Sequence, residues 1–494
     1  MEKVLIIGAN PTGLILAHEL LRCNVPFRII DPHSNLTSLS FPIVLDPFSI
    51  DLLDRAGLLN KLIQEMIPLT GLSFNANKQS IYINMSEYTS LQSFFTLTFN
   101  TFTTFLLRSL EEKGIQVEWN KRVVTLIDKK IMLEDTKEVL NNDIGPRTIM
   151  DPLYVVICEG DTYPDLMDTL HISKRNSKKS LFYCYPDISA PSLVQENTLH
   201  VFGSGKYIYS FLPQLNGLYG LMGYKNKIFF KEDSAELENY LSDVTPIIFE
   251  PIIYKMPFKK YNLFFAGRFL RNFYNFGSYS IGINIKEAFN IAWKLILSVS
   301  DNASEVLMRS YDKEMSKIAK NDLAKQARYY SILNNLGAIW PGLLHFLLKI
   351  TSYSQCIKKL LYNKFILPKL NYEHSPIIKE HVSDKEWPGP RPGSYAPAII
   401  SNNNNLPFSF LNAGKHLLIF FQDRPQLIHA LQAEYAPWLN IIVITDEQFL
   451  ALYHGSPQSI YLIRPDGYIS YRSNHFKLKE LISYFLRIFP IHNR

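Results

Sequence analysis

Cysteine is scarce in this 494-residue chain. There are four, Cys23, Cys158, Cys184 and Cys356, far apart and with no C-x-x-C pair. That spacing argues against a disulfide framework and a cysteine zinc site, and fits a reduced, cytoplasmic setting. Charge is sparse too: Asp, Glu, Lys and Arg make up 19%, against about 25% in an average soluble chain, which argues against a disordered chain. The 51 basic and 45 acidic residues leave a net charge of +6, too little over this length to imply nucleic-acid binding. No apolar run reaches the roughly 18 residues of a membrane span. The most apolar stretch, 337–350, contains Pro341, His345 and Lys349, and the apolar run near Met1 is too short for a signal segment. No nucleophile elbow G-x-S-x-G occurs, and His18-Glu19 is followed by Arg22 where a zinc protease needs a second histidine.

What the chain has in quantity is apolar and aromatic material, 47% and 13%, enough for a large core. At roughly 100–200 residues per domain the length predicts two to four domains. Val4–Ile7 reads as a buried parallel strand, 12–22 as a helix and Phe27–Ile30 as a second strand ending at Asp31, a β-α-β unit. Between the first strand and the helix stands Gly8-Ala9-Asn10-Pro11-Thr12-Gly13. This is the dinucleotide fingerprint G-x-G-x-x-G with Asn10 at the second glycine. Gly8 permits the tight turn, the N-terminus of the helix that opens at Pro11-Thr12 offers unpaired N–H groups to a pyrophosphate, and Gly13 allows close helix–strand packing. Asp31 is placed to accept from a ribose. Asn10 tolerates unusual φ, and its side chain either crowds the phosphate or donates to it.

Further on, residues 68–100 alternate as half-buried strands do, 101–113 reads as a helix closed by Gly114, and Tyr154–Ile157 and Leu263–Ala266 read as buried strands. Two strand-like runs flank Gln214-Leu215-Asn216-Gly217, a strong hairpin signal. Tyr207, Tyr209, Phe211 and Tyr219 either line an aromatic pocket or pack as core. Residues 281–299 read as a helix. Trp387-Pro388-Gly389-Pro390-Arg391-Pro392-Gly393 reads as a linker without regular structure. Beyond it, alternating strands and helices form an α/β unit of about 100 residues.

Three more segments carry a resemblance: Tyr154 to Asp161, Phe264-Phe265-Ala266-Gly267-Arg268, and Gly277 to Leu295. Together with the fingerprint they resemble the FAD-dependent aromatic-ring hydroxylases, the p-hydroxybenzoate hydroxylase-like monooxygenases. Arg391-Pro392-Gly393 and Leu462-Ile463-Arg464-Pro465-Asp466-Gly467-Tyr468 resemble the thioredoxin-like domain of the phenol and polyketide branch. The resemblance implies an α/β chain in three parts. A Rossmann-type FAD-binding domain (1–72, 101–179, 262–370) interleaves with a β-sheet substrate domain (73–100, 180–261). A linker (371–398) leads to a thioredoxin-like domain (399–494). It implies FAD as cofactor, NAD(P)H as reductant, O2 as co-substrate and a small aromatic substrate, and it leaves a homodimer open. Gly8, Asn10, Pro11, Thr12, Gly13 and Asp31 then bind cofactor, as do Asn100, Glu159, Gly160, Gly267 and Arg268, with the backbone of Ser280, Ile281 and Gly282 at the flavin pyrimidine end. No catalytic side chain or metal ligand is named. Asn10, Glu159, Arg268 and the arginine-free stretch Ser38–Pro42 all depart from the family pattern. A degenerate member that has lost FAD and acts as a scaffold is therefore the rival expectation.

Overall fold

The computed structural model describes residues 2–36, 40–76, 79–85, 94–127, 130–137, 145–158, 173–176, 181–189, 197–203, 208–225, 247–249, 252–255, 259–260, 262–267, 279–300, 303–318, 321, 371–382, 387–401, 404–406, 408–411 and 414–489. Strand β1 (Val4–Ile7) leads through Gly8 into α1 (Pro11–Arg22) and back to β2 (Phe27–Asp31), followed by α2 (Pro47–Arg55) and α3 (Phe99–Glu111). Much later come β3 (Tyr154–Ile157) and β4 (Leu263–Phe265), then the long helix α4 (Tyr279–Val299). The four strands lie parallel in the order β4-β3-β1-β2. The short strand Glu118–Trp119 extends the β2 edge and Lys259–Lys260 the β4 edge, the latter antiparallel. β1, β3 and β4 are apolar and nearly wholly buried because both sheet faces are covered, which explains their unalternating sequence, while β2 opens on half-buried Phe27 and Arg28.

A second, seven-stranded sheet contains Ile247–Phe249, Leu181–Ser189, Leu218–Lys225, Ile208–Pro213, Thr198–Gly203, Gly71–Ala76 and Gln79–Asn84, in that order. Its pairs are antiparallel except Thr198–Gly203 with Gly71–Ala76. The expected hairpin is there. Asn216 and Gly217 take φ of 62° and 71°, the left-handed pair that Asn-Gly supplies at low cost. Phe94–Thr98, from the stretch expected in this layer, instead pairs with Pro42–Leu45 and Ile67–Leu69 in a separate three-stranded sheet.

The C-terminal unit runs β5 (His416–Phe420), α5 (Pro425–Tyr435), β6 (Leu439–Val443), α6 (Glu447–Tyr453), β7 (Ile460–Ile463), β8 (Ile469–Ser473) and α7 (Leu478–Ile488). The order is β6-β5-β7-β8, with β5 and β6 parallel and β7 antiparallel to both β5 and β8. The stretch read as a linker is tied into this unit. Lys379–His381 adds a parallel strand beside β8, and the amides of Gly393 and Ala396 donate to Ile469 and Gly467. Proline and glycine there limit regular structure without freeing the chain. Trp293, Leu297 and Leu307 share one core with Leu418, Phe420, Leu462 and Phe485, so the C-terminal unit is packed on α4. No helix among the described residues is long and apolar enough to cross a membrane.

Candidate nucleotide site

The carboxyl ends of the four parallel strands converge, which is where open α/β sheets bind ligands. Gly8, at the end of β1, has φ 109°, a conformation that favours glycine. A Cβ on Gly13 would stand 2.1 Å from the Gly8 carbonyl oxygen, so α1 and the turn touch backbone to backbone. At the end of β2, Asp31 is buried. Its Oδ2 accepts from the Ala9 amide at 2.7 Å, and its Oδ1 accepts from the His33 amide (2.9 Å) and pairs with His33 Nδ1 (2.8 Å). At the end of β3, the Cys158 carbonyl accepts from Asn10 Nδ2 at 2.7 Å. Beyond β4, Gly267 has φ 67° and lies against Thr12, whose Oγ1 would be 2.4 Å from an added Cβ.

Asn10 resolves the open question about its side chain differently from either expectation. Its φ is −90°, its Oδ1 accepts from Gly13 N at 3.1 Å as the N-cap of α1, and its amide is tied inward to β3. With Pro11 lacking an N–H, the first-turn amides without a partner among the described residues are those of Asn10 and Thr12. The cradle fits a nucleotide pyrophosphate and ribose, although a ribose at Asp31 has to share the carboxylate with His33.

Helix α4 supplies the site's second wall. Gly282 leaves no room for a side chain, since its Cβ would meet Asp46 Oδ2 at 2.4 Å. Asp46 caps α2, accepting at Oδ1 from the amides of Phe48 and Ser49 (both 3.0 Å), and it pairs with buried Lys286 at 2.8 and 3.0 Å. Glu287 reaches back to the fingerprint side. Its Oε2 accepts from the Gly267 amide at 2.9 Å and its Oε1 from Tyr311 at 3.2 Å.

Farther along α4, Asn290 donates to Glu314 (2.8 Å) and Asp466 (3.3 Å), Trp293 Nε1 donates to Asp466 (3.2 Å), and Lys294 pairs with Glu314 (2.7 Å). Arg464 grips Glu314 from the other side, through Nη1 at 2.8 Å, and holds Asp466 through Nε at 2.9 Å. All four charged groups are essentially fully buried. Burial pulls Lys294 down to about 8 against the attraction of Glu314. Glu314, in spite of burial, is held down to about 2 by Arg464 and Lys294. Both are therefore ionised at neutral pH. Nearby, Arg55 pairs with Asp51 at 3.0 Å and donates to the Pro465 carbonyl at 2.9 Å and to Tyr395 at 3.0 Å.

The structure thus brings Gly8, Asn10, Pro11, Thr12, Gly13, Asp31 and Gly267 together. Ser280, Ile281 and Gly282 form the first turn of α4, joined to the cluster through Glu287. Asn100 sits in the first turn of α3, half-buried. Helix α3 meets α1 where Leu106 O is 3.0 Å from His18 Nε2. Glu159, Gly160 and Arg268 lie outside the described residues, as do Ser38, Tyr207 and 337–350. Tyr209, Phe211 and Tyr219 pack on one another and on Phe202 in one apolar cluster, with Phe211 and Tyr219 buried, so these three are core. Sequence reasoning missed Asp46, Lys286, Glu287 and the Arg464–Glu314 cluster. The available signal was Lys286, Glu287, Asn290 and Lys294 inside an otherwise apolar helix, with spacing that puts Lys286, Asn290 and Lys294 on one face.

Residues 1–164 match the family model described as FAD binding domain. Over 367 residues the chain is 25% identical to pentachlorophenol 4-monooxygenase of Sphingobium chlorophenolicum, covering 68% of this chain and 65% of that protein, a little under two thirds of its length. Rifampicin monooxygenase of Rhodococcus hoagii is 20% identical over 404 residues, 76% of this chain and 80% of its own. Among solved structures, the flavin-dependent monooxygenase PieE with FAD and substrate superposes with a TM-score of 0.76 at 13% identity. The rebeccamycin biosynthetic enzyme RebC with reduced flavin does so at 0.76 and 18%. Each comparison covers 98% of both chains and establishes a common fold. The fingerprint cradle lies in the segment that matches an FAD binding domain, and over most of its length the chain is similar to FAD-dependent aromatic hydroxylases and shares their fold.

Proposed function

We propose that this protein is an FAD-dependent monooxygenase that hydroxylates an aromatic or polyketide-like small molecule, with NAD(P)H as reductant and O2 as co-substrate. The observation that carries the reading is the cradle at the carboxyl ends of β1, β2 and β4, built within and beside the segment that matches an FAD binding domain. Bound FAD would carry two electrons from NAD(P)H to O2, one atom of which enters the ring while the other leaves as water. The chain's own residues bind and orient. The amides of Asn10 and Thr12 at the positive end of α1 take the pyrophosphate, and Asp31 accepts from the ribose. The first turn of α4, Ser280 to Gly282, offers its amides to the pyrimidine end of the ring, where a helix N-terminus favours negative charge. Asn100, Glu159, Gly160 and Arg268 complete the set by resemblance. The strand order of the C-terminal unit supports a thioredoxin-like module, and without a C-x-x-C it serves no disulfide exchange.

The test is direct. The purified chain, supplied with FAD, should be yellow with flavin near-stoichiometric to protein, and NADH or NADPH oxidation should rise when phenolic or polyketide compounds are added, with hydroxylated product formed. A colourless chain that takes up no added FAD would refute the reading. Asp31→Ala should weaken FAD binding roughly 10–100-fold, the loss expected when a hydrogen bond to a charged group is removed, measured by quenching of flavin fluorescence.

A further inference from the structure

Helix α4 has two sets of attachments. In its first half, Lys286 holds Asp46 at the N-cap of α2, and Glu287 holds the Gly267 amide, keeping Gly267 against Thr12 of the fingerprint. In its second half, Asn290, Trp293 and Lys294 meet the Arg464-Pro465-Asp466 turn and its partner Glu314. The second set carries two positive and two negative side chains, all removed from water. A buried balanced cluster of this kind adds little net stability over an apolar seam of the same volume. What it does provide is register. Apolar surfaces tolerate a small slide, whereas the planar fork of Arg464, bonded to two carboxylates at once, does not.

We propose that Arg464 and Asp466 are positioning residues for the FAD site, acting through α4. Docking of the C-terminal unit fixes the axial position of the helix, and with it the placement of Gly267 against Thr12 and of the first turn at Ser280 to Gly282. The inference rests on the FAD reading above and adds a partner to that site, the C-terminal unit of the same chain. Because coupling between two equilibria is reciprocal, FAD must tighten the docking by the same factor by which docking tightens FAD.

Hydrogen exchange of the full native chain with and without FAD tests this without any substitution. The reporters are the amides of Arg464, Gly467 and Ala396, bonded to the carbonyls of Tyr468, Arg464 and Gly467. Saturating FAD should slow their exchange about tenfold. Two mild variants give the converse measurement. Arg464→Lys keeps the charge and loses the fork, and Trp293→Phe keeps a buried ring but removes the indole N–H that bonds Asp466. Each should raise the FAD dissociation constant about tenfold. Exchange unchanged by FAD, or variants that lower the melting temperature of the apoprotein while binding FAD within twofold of the native chain, would reduce the cluster to a stability element and overturn the proposal. A native chain that binds no FAD would overturn the reading beneath it, and the coupling with it.

Discussion

Alanine at Gly13 is expected to destabilise the chain by about 3 kcal/mol and to abolish FAD retention. The added Cβ would lie 2.1 Å from the Gly8 carbonyl oxygen and 3.3 Å from its carbon. Both are backbone atoms at the end of a fully buried strand, so neither can rotate aside. Relief requires α1 to back away from β1. That motion pulls the Asn10 amide off the Cys158 carbonyl and Thr12 off Gly267, so the phosphate cradle is lost together with the packing. Gly114→Ala is the matched control. Gly114 has φ +80° with open space around it, so its substitution costs only the left-handed backbone conformation, about 1–2 kcal/mol, and leaves FAD binding alone. Urea unfolding and flavin titration of both variants decide the matter. Equal, small losses at the two positions would contradict the close-approach account.

Acid should destabilise the protein well before its carboxylates titrate. Burial lowers His18 to about 4 and His416 to about 3. His416 sits edge-on to Trp293 and Phe489, with no partner among the described residues for either ring nitrogen. His18 has, among the described residues, the Leu106 carbonyl at Nε2 and no partner at Nδ1. In the unfolded chain both titrate near 6.5. Between the folded and unfolded values the unfolded state binds protons that the native state refuses, so stability falls as pH drops below 6.5. By pH 4 the loss is about 3 kcal/mol for each histidine, roughly 6 in all. Glu314, with its folded value at about 2, adds a further loss below the normal carboxylate range. Denaturant unfolding at pH 7, 5.5 and 4 measures the slope. His416→Phe should remove about half of it, and a native chain equally stable at pH 7 and pH 4 would contradict the assignment.

The first 31 residues were legible almost to the boundary, because three signals agree there. Val4–Ile7 is apolar without alternation, Pro11 sits at the first helical position, and Asp31 ends the second strand. The Asn-Gly turn was legible for a similar reason, since two positive φ values in succession admit few residue pairs. What stayed hidden depends on partners distant in sequence. Nothing near Asn10 says that Cys158 will offer a carbonyl, and nothing near Arg464 says that Glu314, 150 positions away, will receive it. The Pro/Gly stretch misled for a related reason. Local composition reports a lack of regular structure, not whether the neighbouring unit supplies carbonyls to pin the chain.

The strand order β4-β3-β1-β2 also sets a schedule for biosynthesis. Strand β1 is made well before one of its two neighbours, which begins at Tyr154, and that strand's own outer partner ends at Phe265. At roughly 5–20 residues per second the wait from first strand to last is on the order of 15–50 s. Val4–Ile7 keeps an unpaired edge until Tyr154–Ile157 is made, Tyr154–Ile157 keeps one until Leu263–Phe265 is made, and cover from α4 comes later still. The C-terminal sheet, drawn from 379–473, has a much shorter wait. The parallel sheet therefore stays incomplete for most of the interval in which its strands are made, with an apolar edge open to other chains.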